Sequence, residues 1–149
     1  MKKFRFALDK LRSWRQIQCD TEQARLQALL LEDRQIQKRR DRLAQDLDRS
    51  LAAVVEGRFN QAEELFALNQ FSMFVQGESQ KLAHLQSQLA QAIEKQRLVL
   101  LEARRHVEVL DQVRESRLKQ WRFDAEREQE DLVAELVVAR WKTAAGRSG

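Results

Sequence analysis

Apolar residues recur at Leu26, Leu29, Ile36, Leu43, Leu47 and Val54, steps of three, four or seven that trace one stripe along a helix. In the same frame Arg12, Arg15, Glu22, Asp33 and Arg40 fall on the stripe, so the seam it predicts is weaker than a leucine zipper. Nothing interrupts a helix from about Phe4 to Val55. The segment EGRFNQAEE then breaks the pattern. Gly57 suits the left-handed position that ends a helix, and Asn60 followed by Glu63 fits a capping box that starts the next. A second stripe runs through Leu82, Leu85, Leu89, Ile93, Leu100, Val107, Leu110 and Trp121. It predicts a helix from about residue 61 to Trp141, bent at Gly77, with residues 58–76 as a separate tip helix in the competing reading. Residues 143–149 read as a flexible tail.

Two helices joined over residues 56–60 fold back antiparallel. The expected fold is all-α, a single antiparallel two-helix coiled-coil hairpin spanning residues 1–142. At 1.5 Å per residue its arms are unequal, roughly 80 Å and roughly 120 Å. A fold-back near residue 58 sets Leu26 opposite about Leu89 and Phe4 opposite about Asp111. The second helix then overshoots by about thirty residues. That overhang carries Trp121, Phe123, Leu132, Val133, Leu136, Val137, Val138 and Trp141, more apolar surface than a soluble monomer usually exposes. A partner is expected to cover it.

Composition reinforces the helices. The 149 residues include no proline and four glycines, and 34% are charged. Strands need β-branched clusters and turn residues that this chain lacks. The longest apolar run, Leu51 to Val55, is far short of the about 20 residues that cross a bilayer. The opening MKKFRFALDKLRSWR is basic, but Asp9, Lys10, Arg12 and Arg15 break the apolar core a secretory signal requires. Its Phe4, Leu8 and Leu11 follow helical spacing. The expected location is the cytoplasm. One cysteine, Cys19, forms no internal disulfide and reads as a small seam residue.

Charge and candidate chemistry add little. The net charge is only +4 although the pI is near 9.6, because acids and bases alternate. Lys38, Arg39, Arg40 and Arg42 cluster in RQIQKRRDR, yet Asp33, Asp41, Asp46 and Asp48 interrupt them. A nucleic-acid-binding basic region shows a cleaner block, so nucleic acid is not the expected partner. No phosphate-binding glycine loop occurs. His84 and His106 are preceded three positions earlier by Lys81 and Ala103 rather than by the glutamate of a helical metal site. No catalytic residue, metal site or cofactor is expected, and an enzyme is not indicated. The aromatic stretch around Phe59, Phe66, Phe71 and Phe74, with Met73, reads either as packing at the hairpin tip or as a docking surface.

The opening M-K-K-F-R-F-x-L-x-x-L followed by Arg12 and Arg15 resembles the flagellar export protein FliJ family. So do Gly57 at the turn, the E-L-x-x-x-x-x-F spacing of Glu64, Leu65 and Phe71, and the closing E-Q-E-D-L-V-A-E-L-V-V-A-R of residues 128–140. The likeness covers about 140 residues, with the opening its distinctive part. It implies a hairpin similar to the gamma-subunit stalk of rotary ATP synthases, without an active site. It implies insertion into the hexameric flagellar export ATPase ring through the two chain ends: Phe4, Phe6, Leu8, Leu11, Trp14, Trp121, Phe123, Leu132, Leu136 and Trp141. The tip aromatics Phe59, Phe66, Phe71 and Phe74 then face the large export-gate membrane protein, and export chaperones are further partners. The resemblance also implies a free monomer, peripherally associated with the inner face of the membrane through the apparatus. Where this chain has Leu68, Phe71 and Phe74, family members often carry tyrosine, so any role of a hydroxyl is lost. The equivalent stalk of a type III injection system is the alternative, and outside this class stand a basic nucleic-acid-binding coiled coil and a dimeric tether.

Overall fold

The computed structural model describes residues 2–58 and 61–147. It is all-α, with two helices packed against each other: α1, Asp9–Val55, and α2, Ala62–Arg147. The turn forms as its residues predict. Gly57 has φ +76°, its N–H bonds to the Val54 carbonyl at 3.0 Å, and the Arg58 N–H reaches the Ala53 carbonyl at 3.0 Å. This pair of bonds is a Schellman motif, which satisfies carbonyls that the end of α1 leaves open. Glu63 and Glu64 occupy the first turn of α2, where negative charge favours the helix dipole. Phe59 and Asn60 lie outside the described residues, and so does the capping box built on Asn60. α2 runs through Gly77 without a break, so residues 58–76 do not form a separate tip helix.

The chain divides into two compact units: Cys19–Glu102, and Met1–Gln18 joined with Ala103–Gly149. In the Cys19–Glu102 unit the partly covered positions of α1 step by alternating threes and fours from Cys19 to Val54. Glu22, Asp33 and Arg40 fall on that covered face with the apolar residues, as the spacing predicts. Cys19 itself is buried and reduced. On α2 the buried residues are Val75, Leu82, Leu89, Ile93 and Leu100. No described side chain is fully enclosed, because two helices can cover only one stripe of each other.

Leu85 departs from the expected seam: it is 47% exposed, and Gln86 is half-buried instead. Covered positions on α2 run 75, 78, 82, 86, 89 and 93. Two successive steps of four amount to a stutter, which locally unwinds the packing. Polar bonding fixes it there. Gln86 Nε2 donates to Gln37 Oε1 at 3.0 Å, and Arg40 Nη1 donates to Gln86 Oε1 at 2.5 Å. Further along, Gln96 Nε2 donates to the Glu22 carbonyl at 3.0 Å and to its carboxylate at 2.5 Å. This last pair places Leu26 at the level of Ile93, one turn beyond the expected Leu89.

In the other unit, α1 begins at Asp9, not at Phe4. Residues 2–6 are neither helix nor turn and lead through a turn at Ala7–Leu8 into α1. Burial along them alternates: Phe4 half-buried, Arg5 exposed, Phe6 buried, Ala7 exposed, Leu8 half-buried. An extended chain puts every second side chain on one face, so Phe4 and Phe6 both turn toward α2, against Trp121 and Arg117. A helix separates residues two apart onto different faces, and Phe6 could not then be covered together with Phe4. The segment also reaches further per residue than a helix does. Arg12 pairs with Asp111, while Phe4 packs on Trp121 rather than lying opposite Asp111. The overhang is therefore shorter than expected. Every described residue from Glu126 to Arg147 is exposed, roughly 33 Å of helix at 1.5 Å per residue. That helix continues past Trp141 through Ala144 and Ala145 to Arg147, where a tail was expected.

Candidate interaction surface

Three exposed areas carry the residues singled out in the sequence. The first is the base of the unit that holds both chain ends. Phe4 and Trp121 meet with ring centres 6.1 Å apart at 58°, a tilted aromatic pair. The Arg114 guanidinium lies 5.8 Å from the Phe4 ring centre, and that of Arg117 lies 5.6 Å from the Phe6 ring. Both are within cation–π range. Phe6, 7% exposed, is core here rather than free surface. Trp14 is 49% exposed and stacks with Arg15 at 4.8 Å; the ring on Trp121 belongs to Phe4. Leu11 is 41% exposed. The hydrogen bond that Arg12 Nε donates to the Asp111 carboxylate, and then that carboxylate's charge, push the Arg12 guanidinium further above its already high pKa, so this cation stays charged at physiological pH.

Sequence reasoning missed the parts played by Arg114, Arg117 and Asp111. The signal for the extended opening was present: Lys3, Phe4, Arg5, Phe6, Ala7 and Leu8 alternate polar or small with large apolar, the period-two pattern of an extended segment.

The second area is the arm, residues 126–147. Leu132, Val133, Leu136, Val137, Val138 and Trp141 are between 52% and 77% exposed. Around the helix, with Ala134 and Ala139, they occupy well over half the circumference at 100° per residue. Asp131, Glu135 and Lys142 share one narrow polar strip, and Arg140 and Thr143 stand singly among the apolar residues. A helix apolar on most sides is normally an enclosed one. Shallow hollows on its surface, one lined by Val137, Val138, Trp141, Lys142 and Ala145, give side chains of a partner somewhere to lodge. Phe123, 58% exposed, stands just before the arm.

Comparison with protein-family models, with curated proteins and with solved structures finds no match for this chain.

The third area is the tip, within the Cys19–Glu102 unit. Phe66 is 64% exposed, Met73 62% and Phe74 54%, whereas Phe71 is half-buried; Phe59 is outside the described residues. Part of the aromatic cluster packs and part is displayed. Among the described residues no group of three potential metal ligands occurs, and no helix is long and apolar enough to cross a membrane.

Proposed function

We propose that this chain is a non-catalytic stalk and chaperone-escort component of the bacterial flagellar protein export apparatus. Its chain ends insert into the hexameric export ATPase ring, and its tip contacts the large export-gate membrane protein. Through these contacts it sits in the cytoplasm at the inner face of the membrane. The observation that carries the reading is the arm. One docking helix or a flat surface covers one stripe, but residues 132–141 are apolar on most sides and need a partner that surrounds them. The bore of a ring does so. The opening motif and the closing residues 128–140 supply the choice of machine, through their likeness to the FliJ family. Phe66, Met73 and Phe74 offer the tip a separate contact of the aromatic kind that dominates interface energies.

The test is a chain ending at Ala125. It retains Phe4, Phe6 and Trp121 and lacks the arm. Co-purification with the flagellar export ATPase is expected to be lost while the helical circular dichroism and melting of the paired part persist. Undiminished co-purification contradicts the reading. An intact chain that captures only the ATPase of an injection system moves the function to that machine.

A further inference from the structure

At the base of the unit that contains both chain ends, an open cleft of about 800 Å³ is lined by Lys2, Lys3, Arg5 and Arg117 around the Phe4 and Trp121 rings. Asp124 is its one carboxylate. Among the described residues none of these four cations forms an ion pair; Arg117 is held only by the Phe6 ring. The molecule thus gathers unneutralised positive charge beside two aromatic faces. Elsewhere it alternates charges: Arg25 pairs with Glu22, Arg39 with Glu78 and Arg97 with Glu94.

We infer that this cleft binds a short acidic peptide segment of a partner protein, its carboxylates on Lys2, Lys3, Arg5 and Arg117 and an apolar side chain against Phe4 and Trp121. Charge complementarity selects the anion. The surroundings select a peptide over a nucleic acid. On the C-terminal side of the cleft, α2 presents Glu126, Glu128, Glu130, Asp131 and Glu135 with Arg127 alone among them. A phosphate backbone tracking along a surface needs continuous positive charge, and this acidic stretch repels it within a few residues. A peptide of a few carboxylates ends before that point. The exposed, non-helical placement of Lys2, Lys3 and Arg5 lets their side chains adjust to such a segment without disturbing α1.

The site shares Phe4 and Trp121 with the end proposed to enter the ATPase ring, but a probe alone tests it. A short fluorescein-labelled peptide of glutamates around one leucine is titrated into the full chain and followed by anisotropy. Binding that weakens with salt is expected. The combined variant Lys2→Glu, Lys3→Glu, Arg5→Glu is expected to lose at least about tenfold in affinity, as for removal of direct charge pairs. Arg34→Glu, Lys38→Glu, Arg42→Glu makes the same change in net charge on exposed positions of α1 and is expected to lose less than about twofold, through long-range charge alone. Asp124→Asn is expected to tighten binding. Absence of binding, equal losses in the two triple variants, or an oligodeoxythymidylate that binds as tightly as the peptide at the same salt each overturns the assignment. Because no ATPase is present, failure here leaves the ring reading standing, and loss of ATPase capture by the chain ending at Ala125 leaves the cleft untouched.

Discussion

Leu100 and Leu136 lie on the same helix, yet Leu100 is 4% exposed and Leu136 is 67% exposed. The stretch around Leu100 has one covered stripe, at 89, 93, 96, 100 and 103, and its open side mixes Glu94, Lys95 and Arg97 with exposed Leu98, Val99 and Leu101. The stretch around Leu136 has apolar residues on most sides and no cover at all. The first is a helix built to meet one neighbour from its own chain. The second exposes apolar residues on most sides, and nothing within its own unit covers them. One continuous helix thus carries a segment covered by its own chain and, in the proposed function, a segment left for a partner.

Substitutions at the two leucines break the comparison most directly. Leu100→Ala is expected to destabilise the chain by about 3 kcal/mol, as for a large-to-small change in a core, measured by urea unfolding. Leu136→Ala is expected to change the same unfolding curve by less than about 0.5 kcal/mol while weakening capture of the export ATPase. Equal losses of stability at both positions make the arm part of the folded core. Gly57 and Gly77 sharpen the contrast between turn and helix. Gly57→Ala forces a left-handed conformation on an alanine and is expected to cost about 1 kcal/mol in thermal unfolding, although no atom lies near the added methyl group. Gly77→Ala, also in open space but within α2, is expected to add about 0.5–1 kcal/mol of stability. Opposite signs for two chemically identical changes isolate the backbone as the cause.

Much of the fold was legible before any coordinates, and the reasons are local. The helical spacing of α1 and its polar interruptions at Glu22, Asp33 and Arg40 survive in the pattern of covered positions, because a two-helix contact reads out periodicity almost directly. Gly57 announced the turn, since few other residues take its φ. What was illegible depended on contacts between segments distant in sequence. Leu85 looked like a seam residue by spacing, and only the bonds of Gln86 to Gln37 and Arg40 turn it outward. The opening obeyed a helical reading at Phe4, Leu8 and Leu11, but burying Phe4 and Phe6 together favours the extended path. That path in turn moves Phe4 from Asp111 to Trp121 and shortens the overhang. The apolar arm could be seen in the sequence; its start near residue 126 could not, because it depends on how far along α2 the opening segment reaches.

The central claim is that the arm is unpartnered in the free chain and enclosed in the assembled machine. Amide hydrogen exchange measured along α2, with and without the hexameric export ATPase, tests it. A helical segment without tertiary cover is marginal, so residues 126–147 are expected to exchange much faster than residues 89–107 in the free chain and to become strongly protected when the ring is added. Slow exchange of the arm in the free chain, or an arm whose exchange the ring leaves unchanged, contradicts the account.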